Sequence, residues 1–151
     1  MRAFHLCTFA IAAATMLAPI QTTATAEPKN EETSSLALSI AALDPLSGSV
    51  RIALFDGGDG YEGDTPVAGA VVDVTGQTLT TTFEGLTPGV YGVKLFHDIN
   101  GNGALDANPF GMPTEPFAFS NNARGRFGPA TWEDAHFAVR DSQTTHTITM
   151  Q

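Results

Sequence analysis

The sequence predicts an all-β domain, an antiparallel β-sandwich of about seven or eight strands with one long ordered loop. Three observations predict it. Past residue 36 the apolar period is two nearly everywhere, which is the period of a half-buried strand. Turn-forming Gly, Pro, Asn and Asp interrupt that period at short intervals, as in sandwiches. No window sustains apolar residues at spacings of three and four, so no long amphipathic helix is expected.

The elements follow in order. Leu36, Leu38 and Ile40 share one face, and Val50, Ile52 and Leu54 share another, with Asp44-Pro45 and Ser47-Gly48 supplying turns between them. These two runs are expected to pair as a first antiparallel hairpin. Asp56 to Pro66 reads as a Gly- and acid-rich loop. Strands are expected over 70–74 and 77–83, the second with Thr78, Thr80 and Thr82 opposite Leu79, Thr81 and Phe83. The turn Leu86-Thr87-Pro88-Gly89 leads into 90–96, where Tyr91, Val93 and Leu95 share a side. Asp98 to Pro116 has no period. Short strands return at 117–120, at Ala135, Phe137 and Val139, and at His146, Ile148 and Met150.

The 151 residues carry 7 basic and 16 acidic side chains, a formal charge of −9. Nothing here neutralises a row of phosphates, which excludes a nucleic-acid partner. Residues 1–26 are expected to be a secretory signal peptide. Arg2 is followed by an apolar stretch from Phe4 to Leu17, and Ala24-Thr25-Ala26 is a small-x-small cleavage site. The apolar stretch is too short to span a bilayer, so the mature chain is not expected to be membrane-spanning. A periplasmic or secreted location follows. Residues 27–35 are a flexible polar lead-in, and 36–151 form a single domain. Cys7, the single cysteine, leaves with the signal, so no disulfide staples the domain.

One segment carries recognisable chemistry. Placing Asp98 at position 1 of a calcium loop puts Asn100 at 3, Asn102 at 5, Gly103 at the tight-turn position 6, Ala104 at the carbonyl position 7 and Asp106 at 9. Pro109 stands where the loop's bidentate Glu belongs. Glu115, the nearest later carboxylate, is the candidate for the missing ligand. The expected cofactor is calcium, since the donor set is all oxygen. Asp56, Asp59, Glu62 and Asp64 form a second acidic segment that could share the ion if the two lie at one end of the sandwich. Asn, Asp and Gly also build Asx-turns without metal. Phe110, Phe117, Phe119 and Phe127 crowd the long loop. They either pack as a satellite core or line a ligand groove, and the sequence favours the first. Arg124 and Arg126 are the one close basic pair, and Trp132 is expected to be partly buried.

Four phrases carry a family resemblance: F-E-G-L-T-P-G-V-Y (83–91), L-F-H-D-I-N-G-N-G-A-L-D (95–106), F-G-M-P-T-E-P-F-A-F-S-N-N (110–122) and F-G-P-A-T-W-E-D-A-H-F (127–137). Over about residues 36–150 the chain resembles the small secreted bacterial proteins of domain of unknown function 2141. The L-T-P-G-x-Y turn is also similar to prealbumin- and Ig-like sandwiches. The resemblance implies the sandwich and no established activity, so no catalytic residue is carried over. Thr114 and Pro116 flank Glu115 where the family more often resembles Lys-Glu-Gly.

The expected function is an exported, non-catalytic module that binds an envelope protein, a glycan or a small ligand. One alternative is a hydrolase using His97, Asp98 and Glu115, with Ser120 as nucleophile. Against it, the chain has no G-x-S-x-G elbow and no H-E-x-x-H motif. The other is a structural part of an envelope assembly, its Thr-rich strands extending a partner sheet.

Overall fold

The computed structural model describes residues 33–140 and 142–151. The expected signal peptide and most of the lead-in lie outside them. The elements are β1 (Ser34–Ala41), β2 (Ser49–Asp56), α1 (Gly57–Glu62), β3 (Ala68–Asp73), β4 (Thr78–Leu86), β5 (Gly89–Asp98), β6 (Phe117–Phe119), a 3-10 turn (Ser120–Asn122), α2 (Trp132–Ala135), β7 (Phe137–Val139) and β8 (Gln143–Thr149). Two sheets form a sandwich. One has the order β4-β1-β8, the other β3-β2-β5-β6, with β7 also paired to β5.

The alternation read from the sequence decides the core. Leu36, Leu38 and Ile40 of β1, Val50 and Leu54 of β2, Val93 of β5 and Ile148 of β8 are all fully buried between the sheets. Each such side chain contributes roughly 1.5–3 kcal/mol by leaving water.

Three expectations are corrected. β1 and β2 do not pair. β1 lies antiparallel to β4 and parallel to β8, whereas β2 lies between β3 and β5. The link between them crosses from one sheet to the other. Leu43 is buried there and its N–H bonds Gln77 O in the other arm of the first sheet. Second, the acidic loop opens with the short helix α1, because Tyr61 turns inward and is buried. Third, β1 begins at Ser34, inside the expected lead-in, where Ser35 Oγ donates to Ser142 O (3.1 Å).

The outer face of the five-stranded sheet carries a second apolar cluster. Phe55, Tyr61, Phe119, Ala130 and Ala135 are buried there, with Trp132 partly buried against them. α1 and α2 are thus held against the sheet. Gly92 permits the contact, since a Cβ there would sit 2.8 Å from Tyr61 Cδ2 and 3.0 Å from Trp132 Cζ3. At the start of β5 the Tyr91 hydroxyl donates to Thr87 O (2.7 Å), closing the Pro88-Gly89 turn as a tyrosine corner does.

Candidate functional site

The loop after β5 is built around Asp98, which ends the strand with its side chain fully buried on the outer face. Its Oδ1 accepts from the N–H groups of Gly101 (2.8 Å) and Asn102 (3.1 Å). Its Oδ2 accepts from Gly103 N–H (2.9 Å) and from Arg51 Nε on the adjacent strand β2 (2.7 Å). The Arg51 guanidinium, more than the backbone donors, holds this carboxyl below its ordinary value, and burial only partly opposes them. Gly103 has φ of +86°, and Arg51 Nη2 lies 3.3 Å from where a Cβ would stand. The sharp turn and the close approach both favour glycine.

The other predicted ligands join the same curl. Asn100 Oδ1 accepts from Asn102 N–H (3.0 Å) and Asn102 Oδ1 from Ala104 N–H (2.8 Å). The two amide nitrogens donate to Asp106, Asn100 to Oδ2 (2.6 Å) and Asn102 to Oδ1 (2.9 Å). Glu115 returns from the far end of the loop. It accepts from Ile99 N–H (2.9 Å) and Asp106 N–H (3.1 Å), one at each oxygen. The residues named by the spacing therefore come together, and Glu115, named as the nearest later carboxylate, joins them.

Their type suits a hard cation, and in this arrangement each is engaged with the protein's own donors. Every side-chain oxygen of Asp98, Asn100, Asn102, Asp106 and Glu115 faces an N–H of the protein. The amides cannot simply be turned. Turning either amide would set its NH2 against a backbone N–H, that of Asn102 for Asn100 and that of Ala104 for Asn102. Backbone donors and Arg51 are thus what these oxygens face. Among the described residues, no three His, Cys, Asp or Glu side chains gather as a metal set.

The second acidic segment divides. Asp59 and Glu62 lie on α1, and Asp64 pairs with Lys94 (3.0 Å). Lys94 Nζ also donates to Tyr61 O (2.7 Å) and sits over the rings of Tyr61 (4.5 Å) and Phe55 (4.8 Å). Burial pushes the Tyr61 phenol up to about 12, and its hydroxyl has no partner among the described residues.

Between the two acidic segments runs a cavity of about 510 Å3. Its apolar surface comes from Ala53, Phe96, Leu105, Phe117, Phe119 and Pro129, and its polar edge from Arg51, Lys94, Glu62 and Asp64. A neighbouring hollow shares Phe117 and Phe119 and is bordered by Arg124 and Gln151. Phe119 packs in the satellite cluster and also lines the groove. Phe110 and Phe127 do neither and stand exposed, 91% and 107%. Sequence reasoning passed over Arg51 and Lys94. Each is a lone cation at an outward position of a strand, in an acidic chain, and that was the available signal.

The residues of the hydrolase alternative are not assembled. His97 faces the sandwich interior, fully buried, with Nε2 on Ser47 O (2.6 Å) and Nδ1 without a partner among the described residues. Asp98 and Glu115 brace the loop on the other side of the strand. Ser120 Oγ accepts from Val93 N–H (2.9 Å) and donates to Ala135 O. It fills the gap on β5 between β6, which pairs at 94–96, and β7, which pairs at 89–91. Among the described residues, no hydrogen bond joins any two of these four side chains.

A bacterial family model described as "Uncharacterized protein conserved in bacteria (DUF2141)" matches residues 38–147, well over half of the chain. No curated protein and no solved structure matches.

Proposed function

Since the chain belongs to the DUF2141 family of uncharacterised bacterial proteins, and no activity comes with that membership, we propose its function from the groove. It is an exported, non-catalytic binding module that takes a small, largely apolar ligand on the outer face of the five-stranded sheet. The observation that carries this is the cavity of about 510 Å3, mainly apolar in its lining, whose polar members are Glu62, Asp64 and two cations already paired to carboxylates, Arg51 to Asp98 and Lys94 to Asp64. Ligand pockets have this size and this mixture. The Asp98–Pro116 loop is one wall, with Leu105 turned into the cavity. Export rests on the first 26 residues, and an envelope partner or glycan is the wider class from which the ligand comes.

The test is titration with anilinonaphthalene sulfonate, an apolar anionic dye. Saturable binding at one site is expected, abolished in Ala53→Trp without loss of melting temperature. A native protein that leaves the dye unbound overturns the groove reading. A mature chain whose mass does not begin at Glu27 overturns export.

Calcium is a second reading, favoured by the Asp98-Asn100-Asn102-Asp106 spacing and by the return of Glu115 to the same curl. It requires Arg51 to release Asp98 and the two Asn amides to turn. Calcium should then raise the melting temperature and chelator lower it, because an ion that binds only the folded state stabilises it. An unchanged melting temperature at millimolar calcium removes this reading and leaves the groove standing.

A further inference from the structure

The outer face of the three-stranded sheet carries two Thr-x-Thr-x-Thr phrases in register. On β4 these are Thr78, Thr80 and Thr82, and on β8 Thr145, Thr147 and Thr149, all six exposed. Between them β1 presents Ala37, Ser39 and Ala41. The pairing aligns Thr82, Ala37 and Thr145 in one row, Thr80, Ser39 and Thr147 in the next, and Thr78, Ala41 and Thr149 in the third. Strand geometry then spaces hydroxyls about 6.7 Å apart along each ridge and sets the ridges about 9.6 Å apart across a shallow floor.

We propose that this face binds an ordered lattice of water, that is, the surface of ice. A hydroxyl both donates and accepts, as water does, and among the described residues none of the six donates to or accepts from a protein group. Threonine is branched at Cβ and stiff at χ1, so little side-chain freedom is lost when the array meets a regular surface. The nine positions carry no charge in a chain of formal charge −9, and the first charge on a ridge is Glu84, which follows Thr82 outward on β4 and lies outside the grid.

The other occupants fit less well. The grid measures roughly 14 Å by 10 Å from strand rise and spacing, a few hundred Å2 at most. A stable protein interface needs about 800 Å2 per partner and aromatic or arginine anchors, and this face has neither. It also has no aromatic ring on which a sugar could stack. Only three strands are involved, so sheet twist accumulates over just two steps.

The experiment measures ice shaping and thermal hysteresis with the purified protein, with sedimentation and pelleting on crystalline cellulose in parallel. Faceted ice crystals and a hysteresis gap are expected. Thr80→Lys and Thr147→Lys, in the middle row, should lose both at unchanged melting temperature, while Val71→Lys on the other sheet should keep them. Round crystals and no gap with the native protein overturn the proposal, and that result does not depend on any variant folding. Two further outcomes also overturn it: a dimer that Thr147→Lys dissolves, or retention on cellulose without ice activity.

Discussion

The Asp98 loop and the Ser120–Asn122 turn are both short polar phrases following a strand, and they do opposite work. Around Asp98, side-chain oxygens turn inward on their own segment, and nearly all their donors come from residues 99–106. Arg51 is the tie to the sheet. Around Ser120 the bonds go outward. Ser120 reaches β5 and α2, Asn121 Nδ2 donates to the carbonyls of Asp134 (3.1 Å) and His136 (2.7 Å), and Asn122 Oδ1 accepts from Thr149 N–H of β8 (2.8 Å). One phrase makes a self-contained wall for a groove. The other is a seam that joins three parts of the chain. Residue type alone, Asn and Asp beside Gly or Ser, does not distinguish them.

Asp98→Ala should have the largest effect. It strands the N–H groups of Gly101 and Gly103, takes from Asn102 N–H one of its two acceptors, and leaves Arg51 without its carboxylate. Hydrogen exchange should rise sharply at 101–103 while Val93 keeps its protection. If Val93 opens equally, the loop is not self-contained and the comparison fails.

Ser120→Ala should act globally instead. Val93 N–H and Ala135 O are buried, and a buried group left unsatisfied costs about 1–3 kcal/mol. A fall in melting temperature shared by every probe is expected. A loss confined to α2 would show that Ser120 is not part of a seam.

How much of this was legible in the sequence depends on what each residue needs from far away. The inward faces of β1, β2 and β5 were legible because a strand's period is local. The neighbour of β1 was not, since alternation assigns Leu38 a face but says nothing of which strand lies beside it. The parallel contact with β8 joins Ser35 to Gln143 across most of the chain. α1 was hidden because Gly57-Gly58-Asp59-Gly60 reads as a turn, and only the burial of Tyr61 rewards a helix there. At the site, spacing identified Asp98, Asn100, Asn102 and Asp106 as companions, and Glu115 joined them only as the nearest later carboxylate. Spacing could not tell a cation from backbone N–H groups as what they face, because every residue but proline carries such a donor.

Asn121 sharpens the comparison next. Its φ is +58°, a region glycine enters freely and alanine does not. Asn121→Gly should therefore cost only the side-chain bonds to Asp134 and His136, about 1 kcal/mol. Asn121→Ala should cost a further ~1 kcal/mol in backbone strain. Equal melting temperatures for the two variants would mean that the backbone relaxes and the seam is not held in this conformation.

Acid should separate the two regions with the smallest effect near neutrality. His146 stacks on Phe137 (4.1 Å between centroids), and its Nε2 accepts from Asn121 N–H (3.1 Å). Burial holds its pKa below the ordinary 6.5, so on acidification the unfolded chain takes up the proton first. The stability tied to neutral His146 is complete above pH 6.5 and is lost as pH falls through the lower folded value. Asp98 behaves in the same sense in a lower window. Its pKa lies below the ordinary 3.8, so its contribution persists to about pH 4 and is lost only beneath it. The protection factor at Asn121 should accordingly fall as the pH drops below 6.5, while Gly101 and Gly103 stay protected. His146→Gln, which keeps an acceptor and cannot charge, should flatten that slope. Were the loop amides to open first, Arg51 would be a weaker brace for Asp98 than its 2.7 Å contact implies, and the seam, not the loop, would be the more acid-resistant of the two.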